Sequence, residues 1–166
     1  MNKVLFKPML CVMLILLGIS MVRAQSMTYK NSFDLSGGAT YDDALYIGSQ
    51  VASPNGLIFS PDGTKVYTLN VSSDVVHQYS LSTAFDVTSG TYDGASSSIS
   101  SEEDNAQAMA FNGDGTKMFV IGNANDDVFS YSLTSAYDVT SGITYDNVSF
   151  DVTSQAPTPV DMHFSP

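Results

Sequence analysis

The sequence predicts an all-β fold assembled from a repeated unit of four antiparallel strands. Three observations carry this. A stretch of 34 residues recurs without a gap at an offset of 52, residues 57–90 against 109–142, with 16 positions identical. The composition is rich in Ser, Thr, Val, Tyr, Phe, Gly and Asp, which is strand and turn chemistry. Few stretches beyond residue 24 carry a helical period.

Each copy reads as four strands in order. Residues 57–60 form a short apolar first strand. Ser60-Pro61-Asp62-Gly63-Thr64 is a hairpin turn: Pro sets φ, Asp caps the turn and Gly accepts a positive φ. Residues 65–71 form a second strand, apolar on both faces as a strand sandwiched between layers would be. After the Ser72-Ser73-Asp74 turn, residues 75–81 alternate, with His77, Tyr79 and Leu81 on one face and Gln78 and Ser80 on the other. Phe129, Tyr131 and Leu133 repeat the first of those faces. A Ser-rich outer strand covers 91–99, and Ile143, an insertion, shifts the offset to 53 beyond it. Partial copies flank the two full ones: residues 32–42 repeat the tail of the unit and 159–166 repeat its head. Four antiparallel strands per roughly 50 residues is the period of a β-propeller blade, whose faces are buried only by neighbouring blades.

The segments FSPDGTKVY and FNGDGTKMFV, followed by DVVHQYSLSTAFDV and DDVFSYSLTSAYDV, resemble the repeats of secreted YVTN/NHL-type β-propellers. These belong to the WD-repeat-like propeller superfamily, and the likeness extends to repeat proteins of marine bacteria and phages. It covers roughly residues 33–166 and is specific for fold rather than function. It implies an incomplete ring: 33–50 as the outer strand of a preceding blade (the strand proper near 41–47), 54–105 and 106–158 as blades, and 159–166 as the first strand of a further blade, with 161–164 its core. On that reading the chain is expected to be a fragment of a longer propeller.

Residues 1–24 read as a secretory leader. Lys3 and Lys7 precede a 13-residue apolar run, 9–21, and Val22-Arg23-Ala24 offers a cleavage site before Gln25. The run falls short of the about 20 residues a spanning helix needs, so stable membrane insertion is not expected. A secreted, periplasmic or cell-surface location follows. Cleavage leaves Lys30, Lys65 and Lys117 against 17 acids, a net charge of −14, which repels nucleic acid and favours basic partners. It also removes Cys11, the one cysteine, and with it any disulfide or thiolate chemistry.

The chemistry-bearing residues are sparse. Counting twelve positions from Asn112 ends at Asn123, where a calcium loop needs a bidentate Glu, so the Asp-Gly segments read as turns. His77 and His163, the two histidines, read as packed strand residues. No serine lies in a G-x-S-x-G elbow. Asn70 and Asn147 open formal glycosylation sequons. The candidate binding residues are Asp74, Glu102, Glu103, Asp104, Asn125 and Asp126, on two loop types that share one rim of a propeller. Their carboxylates suit a cation or a basic partner. The expected function is an extracellular, non-catalytic interaction module, with no cofactor, that takes a protein or carbohydrate ligand through these loops. The alternative is a fragment of a lactonase-like or sugar-acid hydrolase propeller enzyme. Self-association is also expected, through open edges and apolar faces built from Val66, Tyr67, Met118 and Phe119.

Overall fold

Eight strands form two antiparallel sheets of four, each in simple sequence order, in the computed structural model, which describes Tyr41 and residues 44–164. The chain divides into two units, 1–41 and 42–166, and the architecture below is that of the second. The predicted leader with its cleavage site, and most of the tail copy at 32–42, lie outside the described residues. Blade 1 comprises β1 (Pro54–Phe59), β2 (Lys65–Asn70), β3 (Val75–Leu81) and β4 (Gly90–Ala95), with a 3-10 turn at Val87–Ser89. Blade 2 comprises β5 (Ala106–Phe111), β6 (Lys117–Gly122), β7 (Asp127–Ser135) and β8 (Asp138–Asp151). The fold is all-β and propeller-like, and the two blades do not close a ring among the described residues. No helix among these residues is long and apolar enough to cross a membrane.

The hairpin between β1 and β2 forms as its sequence dictates. Asp62 Oδ1 accepts from Ser60 Oγ at 2.6 Å, from Thr64 N–H at 3.0 Å and from Thr64 Oγ1 at 2.9 Å. Gly63 sits at φ 70°, and a Cβ there would run into the ring of Phe85. Phe85 itself takes φ 62° and donates its N–H to Gly63 O at 2.9 Å. Tyr137 and Gly115 repeat the arrangement in blade 2, which explains the recurrence of both the Asp-Gly turn and the AFD/AYD motif.

Strand pairing assigns each blade a front and a back face. Val66 pairs with Tyr79 and Tyr67 with Gln78, so Tyr67, Leu69, Val76 and Gln78 share the front of blade 1, while Val66, Thr68, His77 and Tyr79 share its back. The front of blade 1 packs on the back of blade 2, where Met109, Met118, Val120, Phe129, Tyr131 and Val139 lie in one buried cluster with Tyr67, Leu69 and Val76. Tyr67 Oη donates to Tyr137 O at 2.6 Å, Val139 N–H to Gln78 Oε1 at 3.0 Å, and Asn55 Nδ2 to Gln107 Oε1 at 2.7 Å, tying the blades across the joint. On the back of blade 1, Leu45 and Ile47 cover Val66, Tyr79 and Leu81.

Gln78, on the face opposite His77 and Tyr79, is buried as they are, because both faces of this strand are covered and alternation does not separate inside from outside. Several expectations need correction. The outer strand of blade 1 ends at Ala95 rather than 99, since the chain turns there into the connection to β5. Residues 44–47 and 161–164 form no strand, for no neighbouring ladder holds them. His163 accordingly is exposed rather than packed in a strand. Tyr67 and Met118 are fully buried in the joint between blades, Val66 is covered by Leu45 and Ile47, and Phe119 carries Phe164 at a ring distance of 4.8 Å. None of these four is the bare face the sequence suggests.

Candidate functional site

The connection from blade 1 to blade 2 runs along one rim and is built as a repeated device. The N–H groups of Glu102 and Glu103 both donate to Ile99 O, at 3.1 and 3.0 Å. Gln155 and Ala156 do the same to Val152 O, at 2.8 and 2.7 Å, and Gln50 and Val51 to Ile47 O, at 2.9 and 3.0 Å. Residues 47–51, 99–103 and 152–156 are therefore three copies of one connector. Each of the later two is hung from the turn below it: Ile99 N–H donates to Asp74 O at 2.8 Å, and Val152 N–H to Asp126 O at 3.0 Å.

That geometry brings the six sequence-predicted residues onto one rim, in different roles. Asp74 and Asp126 occupy equivalent turn positions with φ 51° and 55°, conformations that Asp tolerates better than most residues. One carboxylate oxygen of each is buried without a hydrogen-bond partner. Burial, then the nearby Asp104 and Glu103 carboxylates, pushes the Asp74 carboxyl above its usual range. Asp104 is exposed. Asn125 is exposed and its Nδ2 donates to Glu102 O at 2.7 Å. The Glu102 carboxylate accepts from Ser101 Oγ at 2.8 Å and from Tyr131 Oη at 3.3 Å.

Glu103 departs from the expected rim acid. It is fully buried, and its carboxylate accepts from the N–H groups of Asn105 at 2.9 Å, Ala124 at 3.0 Å and Asn125 at 3.3 Å. An ionised carboxylate accepting several backbone N–H groups is a strong, orienting arrangement. It bolts the connector to the β6–β7 turn, and Gly122 makes the room, since a Cβ there would collide with the Glu103 carboxyl. Val51 and Ala156 hold the corresponding places in the other two connectors, so this bolt occurs once among the three.

Sequence reasoning missed a second polar device. Asp93 Oδ2 accepts from Gln78 Nε2 at 2.9 Å and Ser80 Oγ at 2.7 Å, with Lys65 Nζ at 3.6 Å. In blade 2, Asp146 accepts from Ser130 and Ser132, both at 2.6 Å, and from Lys117 Nζ at 2.8 Å. The recurrence of Lys, Ser and the TYD aspartate at matched positions was the available signal. Its presence in both blades marks it as a clamp across the second, third and fourth strands. His77 is buried in β3, where blade 2 has Phe129. Its Nδ1 lies 3.0 Å from Tyr92 Oη, its Nε2 has no partner, and burial lowers its pKa. Among the described residues no group of three or more His, Cys, Asp or Glu is placed to hold a metal ion.

No family model matches the chain, and a search of curated proteins finds no match. Among solved structures it is similar to a Bacteroides uniformis protein provisionally described as a 6-phosphogluconolactonase. The two are 17% identical with a TM-score of 0.46, and the match covers 71% of this chain. It spans 33% of the length of that protein.

Proposed function

We propose that this chain is an exported, non-catalytic interaction module of the YVTN/NHL type that takes a basic protein segment on the connector rim. The observation that carries the reading is the Glu103 bolt. It fixes the connector against the β6–β7 turn, so that Asp104, Asn125 and Glu102 are presented from a rigid base beside Asp74 and Asp126. Preorganised charge of one sign lowers the ordering cost of binding and steers an oppositely charged partner. In this role Glu103 is a positioning residue rather than a contact. The leader-like segment 1–24 and the strongly acidic remainder fit an extracellular setting.

Calorimetric titration with a lysine-rich peptide tests this. Binding is expected at low salt and should weaken as the Debye length falls to about 8 Å at physiological ionic strength. Asp104→Asn and Glu102→Gln should each weaken it about two- to fivefold, as exposed ion pairs of up to about 1 kcal/mol imply. Salt-insensitive capture of a neutral oligosaccharide in place of the peptide would overturn the cationic partner. Lactone hydrolysis by the purified chain would overturn the non-catalytic reading.

A further inference from the structure

The rim opposite the connectors holds a cleft between the two blades. Its volume is about 390 Å³, and three turns wall it: Pro61, Asp62, Thr64 and Lys65 between β1 and β2, Gly113 between β5 and β6, and Tyr137 between β7 and β8. Hydrogen bonds fix the spacing of these walls. Tyr67 Oη donates to Tyr137 O across the joint at 2.6 Å, and Tyr137 Oη donates to Gly113 O at 2.8 Å. Two departures from the repeat lie here. Lys117 Nζ in blade 2 donates to Ser132 Oγ at 2.9 Å and to Asp146 at 2.8 Å, whereas its equivalent, Lys65 Nζ, stands 3.6 Å from Asp93 and donates no hydrogen bond to the described residues. Gly113 stands where blade 1 has Pro61. Its backbone is not left-handed and a Cβ on it would meet nothing within 4 Å, so neither conformation nor packing requires a glycine there. We infer that this cleft binds a neutral, hydroxyl-rich ligand, one pyranose unit of a carbohydrate.

The polar groups of the cleft select that class. Lys65 supplies an ammonium with unused donors. Asp62 supplies an acceptor, because its three hydrogen bonds, from Ser60 Oγ, Thr64 N–H and Thr64 Oγ1, all fall on Oδ1 and leave Oδ2 to a ligand. Those bonds, Ser60 first and then Thr64, pull its carboxyl down to about 2, so it is ionised. Vicinal hydroxyls both donate and accept, and so match an ammonium beside a carboxylate. Pro61 and the Tyr137 ring offer apolar surface to the C–H face of a sugar. An anion is disfavoured by Asp62 in the wall, by Asp93 beside Lys65 and by the net charge of −11. A cation is disfavoured by Lys65 itself. A wholly apolar ligand would strip water from both charges and return no hydrogen bond. The cleft lies on the rim away from Asp104 and Glu102, so it stands independently of the basic partner proposed above.

Titration of the chain with methyl glucoside, methyl galactoside and methyl mannoside, followed by amide chemical shifts, tests this. At least one should bind in the millimolar range and move signals of residues 60–65, 113 and 137. Gly113→Leu narrows the cleft without displacing a neighbour, and Lys65→Met removes the donor. Each should weaken binding at least about tenfold, as the loss of a hydrogen bond from a charged group does. Asp104→Asn should leave it unchanged, and glucuronate should bind more weakly than methyl glucoside. Circular dichroism confirms that the variants are folded, and Lys65→Met carries the test should Gly113→Leu unfold. No shift with any of the three glycosides overturns the inference, and so does binding that both variants retain. Tighter binding of glucuronate would mark an anion site and overturn it too. Shifts confined to 102–104 and 125 would put the sugar on the connector rim, against both this inference and the basic partner.

Discussion

Blade 1 and blade 2 share a template, yet they satisfy their polar groups differently. In blade 2 the Asp146 clamp closes on Lys117 at 2.8 Å, Phe129 packs without a polar atom, and Tyr131 Oη has a carboxylate. In blade 1 the Asp93 clamp stands 3.6 Å from Lys65, His77 replaces the phenylalanine, and both His77 Nε2 and Tyr79 Oη lack partners. Among the described residues, blade 2 has a blade on its back and blade 1 has residues 44–51 over part of its own. At positions 77/129 and 79/131 blade 2 leaves no orphaned polar atom and blade 1 leaves two, whereas the Asp74 and Asp126 carboxylates each keep an orphaned oxygen in their own blade.

The largest contrast lies at the connector between the blades. Glu103→Ala would strand three backbone N–H groups in the joint, and an unfolding free energy lower by about 2–4 kcal/mol is expected in urea titration. Ala156→Ser, at the matching place in the last connector, should change little. Equal effects at the two sites would break the distinction between a bolted and an unbolted connector.

A smaller effect separates the two clamps. Asp146→Asn should destabilise by about 1–3 kcal/mol and Asp93→Asn by less, because only the former sits in hydrogen-bond range of its lysine. Acid sharpens this comparison. Burial is the largest single influence on Asp146 and opposes its ionisation, yet hydrogen bonds from Lys117, Ser130 and Ser132 together hold its carboxyl below the usual range. A depressed folded pKa contributes stability above the unfolded value of 3.8 that is lost as pH falls through the folded one. The gap between wild type and Asp146→Asn should therefore narrow below pH 3.8.

The smallest change has the opposite sign. His77→Phe gives blade 1 the residue of blade 2 and removes an orphaned buried nitrogen, so a gain of about 0.5–1 kcal/mol at neutral pH is expected. Burial lowers the His77 pKa below 6.5, so the unfolded chain takes the proton first and stability falls as pH drops from 6.5 to the folded value. Thermal melts between pH 7 and 5 should show that slope in the wild type and a weaker one in the variant. An unchanged slope would mean that other groups set it.

How much of this was legible follows from the range of the interactions. The Asp62-Gly63 and Asp114-Gly115 turns were readable because their partners lie within five residues. The register of the repeat placed both blades and put Asp74 and Asp126 in equivalent turns. Glu103 was misread because its partners at 124 and 125 lie beyond two intervening strands, and an acid amid serines and asparagines looks solvated. The burial of Gln78 was not legible because alternation distinguishes an inner from an outer face only when one of them is wet. The Asp93 and Asp146 clamps left a repeated motif in plain view, but the residues they hold are scattered over three strands.

The three connectors have a consequence for how such a chain changes length. Because 47–51, 99–103 and 152–156 fold alike, each of these junctions among the described residues offers the same splice. An unequal crossover between two of them would add or delete one whole blade and leave each new seam with a joint already tested by the old. Growth by duplication would then be nearly free of structural damage. The one seam that resists is the middle one, where losing Glu103 from its partner turn would leave a duplicated blade less firmly anchored than its parent.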